Sequence, residues 1–394
     1  MTSDSPVRSD RSIRVTTPEH PISLANPDAV VVAIPYLLGF RPEHSLVLLW
    51  IAEGRLALTQ RVDLPEAGLS AEQQAAYLDA LLSPGWDTRA DSLIACVISD
   101  VPTAVRAQTG SKATGLVMAD LVGSLAQRLR IRGLDLLDAL SIRQSPGCSE
   151  RWWSYLCHEG CCPEQGREVP ESVRIAVAAA FTLEGFAVAD SRADMAQSMT
   201  ADPMLVEQVA MRLSRRRTPV QSVLRERWRT TRISRIRLLL GLGQTQPERQ
   251  GGTSPHPRQR ILTVRELVDL IHGLGDVRVR DCVLWSLSRT GDLRRVIPML
   301  MQGLRAAPDA GVPPIASCVA VATWLTGDGA RAAIALERAL AVDPDYSLAR
   351  LLDLALRSGM PPTRWAAMMS ALREDECRGR STEEGGLQVD SGAL

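Results

Sequence analysis

Ser45-Leu46-Val47-Leu48-Leu49-Trp50-Ile51 runs directly into Ala52-Glu53-Gly54-Arg55 and then into Leu56-Ala57-Leu58-Thr59-Gln60-Arg61-Val62-Asp63-Leu64. The first run is apolar throughout, as a strand covered on both faces is. The second is stopped by Pro65, which supplies no N–H to a ladder. Gly54 accepts the backbone angles of a tight turn, so the predicted unit is a β-hairpin.

Upstream, Asn26-Pro27-Asp28 opens a helix: Asn is a good N-cap and Pro suits the first helical position. Pro35 and Gly39 are expected to end it. Downstream, 70–82 reads as a helix capped by Ser70, with apolar spacing through Ala75, Leu78 and Leu81-Leu82. A buried strand follows at 93–98, a polar loop at 100–114 and a helix at 116–130. A strand at 134–142 is turned by Ser145-Pro146-Gly147 into another at 151–157. The order strand, strand, helix, strand, helix, strand, strand predicts an α/β mixed-sheet layered N-terminal domain over 22–190, closed by a helix at 172–188. Residues 1–21 read as a disordered tail.

From about 202 onward strand signals vanish. Helical patterns recur at 203–216, 220–242, 260–273, 277–289, 292–306, 314–326, 329–342, 346–358 and 363–372, separated by Gly, Pro and Asp breaks. An all-α helical domain is therefore expected over 191–372, with a linker at 243–258 and a disordered tail at 373–394. Within 314–358 the sequence Gly327-Asp328, Ala332, Ala339-Leu340, Asp343-Pro344, Ala349 fits a tetratricopeptide-like hairpin. Small residues let two helices approach closely and Pro344 starts the second. Gly329 and Ala335 stand where aromatics are usual, and the bland alternative is an ordinary helical hairpin.

The chain has 394 residues, 45% hydrophobic and 23% charged, an ordinary globular composition. Lys+Arg and Asp+Glu balance at 45 each, which excludes attraction of polyanions by net charge. The distribution is uneven: acidic residues exceed basic ones by 20 to 13 over 26–190, while 191–260 carries 14 basic and 5 acidic. Lys112 is the only lysine, so a high arginine content reflects genome bias more than phosphate binding. Residues 1–14 lack the apolar core of a signal peptide, and the longest apolar stretch, 29–40, is too short to span a bilayer. A cytoplasmic location with reduced thiols is the expectation.

Several segments together resemble the actinobacterial domain-of-unknown-function 4192 family. They are Pro35-Tyr36-Leu37-Leu38-Gly39-Phe40 with Pro42 and Ser45-Leu46-Val47, then Arg61-Val62-Asp63-Leu64-Pro65. Trp153-Ser154, Cys157, Cys161-Cys162-Pro163 and Gly166 follow, and then Trp324-Leu325, Gly327-Asp328-Gly329-Ala330 and Pro344-Asp345-Tyr346-Ser347-Leu348-Ala349. The resemblance extends from about 22 to about 371 and implies an actinobacterial origin. It brings no reaction with it.

Cys157-His158-Glu159-Gly160-Cys161-Cys162-Pro163 concentrates potential chemistry. Cys157 and Cys161 have a metal-compatible spacing, and Cys162, His158 or Cys148 could complete four ligands around zinc. Adjacent Cys161 and Cys162 point apart in extended chain, so both could bind only through a tight turn. Closely spaced thiols could instead form a reversible disulfide, or be buried and inert. Just before them, Trp152-Trp153-Ser154-Tyr155 places large aromatics on both faces of a strand, as core packing under two helical layers would. A ligand pocket wall is the alternative.

Arg61 and Asp63 point the same way near a strand end. With Tyr36 and Ser45 they could form a polar site at the sheet edge, where α/β folds often bind ligands; an internal Arg–Asp pair pinning the hairpin is the more economical account. The basic stretch 212–237 carries ten arginines against Glu226 alone. Arg225, Arg229 and Arg232 form a stripe; Val220, Leu224, Trp228 and Ile236 form part of an apolar face. Such a stripe would suit nucleic acid or an acidic partner, although a solvated face, or docking onto the acidic first domain, is the simpler account. No Ser-His-Asp arrangement, H-E-x-x-H or Walker loop occurs, and Thr109-Gly110-Ser111-Lys112 has phosphate-loop ingredients in the wrong order. The leading expectation is a non-catalytic binding or adaptor protein acting on a protein partner through its helical domain. The first alternative is a zinc- or thiol-dependent enzyme or redox sensor, and the second is nucleic-acid binding. Neither nucleic acid nor a membrane is the expected partner.

Overall fold

The computed structural model describes residues 13–15, 21–66, 69–83, 89–100, 116–144, 150–157, 162–242 and 260–377. The chain divides into two compact units, one comprising Met1–Gln197 with Ala355–Pro361 and the other Ser198–Leu354 with Pro362–Leu394. The break falls a few residues beyond position 190.

In the first unit, β1 (Ile13–Val15) and β2 (Ile22–Leu24) pair antiparallel. Part of the stretch 1–21, read as a disordered tail, is therefore a strand. Three residues with Ile13 and Val15 turned inward are too short a signal to stand out from a polar terminus. Helix α1 (Pro27–Leu38) starts as expected: the Asn26 side chain accepts from Ala29 N at 2.9 Å and Pro27 occupies the first turn. It does not stop at Pro35. The missing N–H of Pro35 removes one hydrogen bond, the buried helix continues to Leu38, and Gly39 ends it at φ 75°.

β3 (Ser45–Ala52) and β4 (Arg55–Asp63) are the hairpin, paired from Ser45–Asp63 to Ala52–Arg55 with a one-residue register shift between Trp50 and Ile51. Glu53 and Gly54 both have left-handed φ, 52° and 73°, the condition for a two-residue turn that follows the strands' twist. α2 (Ala71–Leu81) opens with a reciprocal capping box between Ser70 and Gln73. β5 (Ser92–Ser99), α3 (Ala119–Ile131) and β6 (Asp135–Arg143) form a parallel crossover, followed by β7 (Arg151–Ser154) and β8 (Arg167–Glu168). α4 (Glu171–Leu183) and α5 (Arg192–Gln197) follow in this unit, to which Ala355–Pro361 also belong. The strand order is β2-β1-β4-β3-β5-β6-β7-β8, a mixed sheet as predicted. β5 is buried at every position and β3 at all but Ala52, so both sheet faces are covered. α1 and α4 stack through Tyr36 and Phe181, with ring centroids 5.1 Å apart. α2 and α3 join through Gln74–Ser124 at 3.3 Å and Arg132–Asp79 at 3.2 Å.

The described part of the second unit is helical: α6 (Pro203–Leu213), α7 (Ser222–Leu240), α8 (Val264–Leu274), α9 (Val277–Leu287), α10 (Leu293–Ala306), α11 (Val312–Leu325), α12 (Gly329–Val342), α13 (Ser347–Arg357), α14 (Pro362–Ala371) and α15 (Glu374–Cys377). α15 lies inside the stretch read as a C-terminal tail. Side chains of Asp202, Asp276 and Asp328 cap α6, α9 and α12. α11 is buried from Val312 to Trp324, the mark of a central helix. α10 and α12 pack on it. The linker 243–258 and the turn at 145–147 lie outside the described residues.

Candidate functional site

Cys157 lies three residues beyond the end of β7. Trp152 donates from Nε1 to Asp28 Oδ1 of α1 at 2.7 Å, and the Arg167 guanidinium lies 5.7 Å from its ring centroid. Trp153 donates from Nε1 to the Glu164 carbonyl at 3.2 Å, and the Tyr155 hydroxyl donates to the Val117 carbonyl. All three rings are buried and every polar tip has a partner, so these aromatics are core rather than pocket wall. β7 ends at Ser154, three residues short of the predicted 157. Cys157 is disulfide-bonded, and its partner lies outside the described residues. Cys162 is buried and not disulfide-bonded. Cys148, His158 and Cys161 lie outside the described residues, and among those described no group of three or more His, Cys, Asp or Glu could hold a metal. A sulfur in a disulfide is not a thiolate ligand, so any zinc at Cys157 would require its reduction. Two other thiols are deeply buried: burial pushes Cys96 up and Cys318 to about 12, leaving both inert.

At the end of the β3–β4 hairpin away from its turn, three of the four predicted polar residues meet. Arg61 donates from Nε to Ser45 Oγ at 2.8 Å and pairs through Nη2 with Asp63 at 2.6 Å. Ser45 in turn donates to the Glu43 carbonyl at 2.6 Å. Tyr36 is not with them, because its ring is stacked on Phe181. Tyr77 reaches the group from α2, donating to the Asp63 carbonyl at 3.0 Å, and burial with the Asp63 charge pushes its phenol up to about 12. Arg61 spends its guanidinium within the hairpin, as a structural pair does. A cleft of about 560 Å³ opens at the other end of the hairpin, lined by Arg14, Glu53, Arg55, Asp91 and Asp135. It lies at the starts of β5 and β6, whereas α/β folds bind ligands at strand carboxyl ends. Asp91 already accepts from Glu53 N at 2.9 Å and from Ser92 Oγ at 2.6 Å.

The arginine helix α7 departs most from expectation. Arg229 grips Asp276 with Nε and Nη2 at 3.0 Å and holds Glu226 with Nη1 at 2.6 Å. Arg232, nearly buried, pairs with Asp269 at 2.7 Å, and Arg216 meets the same carboxylate at 3.0 Å. Arg237 bonds Glu374 at 2.8 Å and Ser286 Oγ at 2.8 Å; Arg225 donates to the Pro219 carbonyl at 2.9 Å. The predicted basic stripe Arg225, Arg229, Arg232 therefore faces inward and is spent on the unit's own acceptors. Asp269 on α8 and Asp276 capping α9, which supply the compensating charge, could not be matched to it from sequence spacing alone.

The expected apolar face is partly reversed as well. Ile236 is buried, while Val220 and Leu224 are 86% and 48% exposed. Trp228 is half-buried, edge-on to His272 with centroids 5.3 Å apart. What α6, α7 and their connection turn outward is a different set: Arg212, Arg215, Arg217, Arg227 and Arg235 are exposed, and none has a carboxylate partner among the described residues.

A family described as "Domain of unknown function (DUF4192)" matches residues 27–363. The chain belongs to that family. Every segment that carried the resemblance, from Pro35 to Ala349, falls inside the DUF4192 span. No curated protein and no solved structure matches the chain.

Proposed function

We propose that this protein is a non-catalytic binding protein whose helical unit is the contact region. The observation that carries this reading is the partition of the ten arginines of 212–237: Arg216, Arg229, Arg232 and Arg237 are neutralised by the unit's own carboxylates and Arg225 bonds a carbonyl, while the other five are exposed with no carboxylate partner among the described residues. Exposed charge without a partner inside the molecule is available for one outside it. We take the helices at 314–358 to include a tetratricopeptide-like hairpin; the burial of Ala332, Ala339 and Ala349 supports this. We take the protein to be cytoplasmic and of actinobacterial origin, on the arginine bias and the family resemblance. The test uses immobilised full-length protein at low salt, challenged with an acidic polypeptide and with anionic vesicles. Retention of either that is lost in Arg227→Glu/Arg235→Glu supports a contact surface; a wild-type protein that retains neither would end the proposal.

A second reading rests on Cys157. A disulfide at Cys157, five residues before the buried Cys162 in sequence, suits a thiol-based sensor, in which two electrons and two protons convert the disulfide to two thiols. Mass shifts after thiol alkylation across a range of glutathione potentials would test it. A disulfide that stays closed at every cellular potential would make the bond purely structural.

A further inference from the structure

The outward face of α6 and α7 carries more than charge. Leu224, Arg227, Thr231, Arg235 and Leu238 recur at spacings of three and four along α7, and all are exposed. Val220, in the connection between α6 and α7, is 86% exposed; Val223 is 65%, Leu238 is 68% and Met211 on α6 is 56% exposed. These side chains alternate with Arg212, Arg215, Arg217, Arg227 and Arg235. Of the two carboxylates in α6 and α7, Glu226 is taken by Arg229 and only Glu207 is exposed.

The connection that presents Val220 is built in place. Arg225 Nε donates to the Pro219 carbonyl at 2.9 Å, Thr218 Oγ1 contacts His272 Nε2 at 3.3 Å, and Arg216 is anchored on Asp269 at 3.0 Å. Aliphatic side chains are thus held out toward solvent among exposed guanidinium groups that have no carboxylate partner among the described residues; Arg212 and Arg217 donate only to nearby carbonyls.

We propose that this face docks on an anionic phospholipid surface, with Val220, Val223 and Leu224 entering the headgroup boundary and the arginines meeting phosphates. The proposal rests on the reading of the helical unit as a contact region and names its partner. Two features select a bilayer over a nucleic acid. Phosphate contacts use arginine but gain nothing from exposed valine and leucine, whereas an interfacial helix requires both. Single-stranded nucleic acid is held by stacking on aromatic rings, and the one aromatic in α7, Trp228, is turned toward His272 and Arg232. No described helix is long and apolar enough to cross a membrane, so the docking is peripheral.

The experiment is co-sedimentation of the full-length protein with vesicles of phosphatidylcholine alone and with vesicles containing phosphatidylglycerol. Binding is expected only to the anionic vesicles and should weaken as salt rises. Arg227→Glu/Arg235→Glu should lower the partition by at least about tenfold, given the contribution of each basic side chain near an anionic leaflet. Val220→Ser/Val223→Ser should lower it by about tenfold through lost apolar insertion. Both pairs are exposed, and circular dichroism checks that the variants keep their helices. No binding to anionic vesicles at low salt overturns the proposal. So does an unchanged partition in the valine variant, or equal binding of an oligonucleotide that the valine variant leaves intact. If vesicles fail while poly-glutamate is retained through the same arginines, the bilayer is wrong and the contact-region reading stands.

Discussion

Gly166 holds φ at 80°, and a Cβ there would stand 2.6 Å from Trp153 Cζ2. The backbone thus closes directly on the face of an indole that is itself fixed by its bond to the Glu164 carbonyl. Gly166→Ala should destabilise the first unit by about 2–3 kcal/mol, from a left-handed backbone plus a clash with a rigid ring; urea denaturation reads the loss. Trp153 and Gly166 stand out in the sequence individually, but the contact that couples them is tertiary and no local rule announces it. His272 offers a second test. Burial, then the charges of Arg232 and Arg216, hold its pKa below the usual 6.5, with Asp269 opposing them. Protonation therefore favours the unfolded chain. The stability contributed is complete above pH 6.5 and falls as the pH drops through the folded value. His272→Gln should flatten stability against pH in that acidic window, as followed by thermal melting across a buffer series.

Helix α7 depends on carboxylates from its neighbours. Asp269→Ala leaves Arg232, with 9% of its side chain exposed, buried without a counter-charge. A loss of about 3 kcal/mol is expected, because removing one member of a buried pair costs more than the pair contributes. Arg232→Met/Asp269→Leu should recover most of that loss, and comparing the two variants by denaturation separates desolvation from packing. At this scale the sequence was most legible where a cap or breaker sits beside a periodic run. Asn26-Pro27 and Ser70 each marked a helix start. The start of α8 was misjudged by four residues, since the Thr263–Glu266 box, not the periodicity, fixes it at Val264. The paired arginines were illegible for a different reason: which face of a helix is solvated depends on carboxylates of other helices, Asp269 on α8, Asp276 capping α9 and Glu374 on α15.

Across the molecule, the division into a sheet-bearing unit and a helical one followed from the disappearance of strand signals near 202. The short strands β1 and β8 did not, because two or three residues carry no period. Cys157 lies in the first unit. Reduction, or Cys157→Ser, should lower that unit's stability by about 2 kcal/mol, and reductant should then have no further effect on the variant. Melting curves with and without reductant measure this. The strand lengths have a further consequence. Long inner strands of eight and nine residues give way to three residues at one rim and two at the other. β4 meets β1 only at Arg55, and its outer margin bears Gln60, Arg61 and Asp63. Rims that are truncated or charged offer a second chain little to zip onto. A sheet this apolar at its centre can thereby stay monodisperse in a crowded solution, so the sites to guard in any redesign are its borders rather than its core.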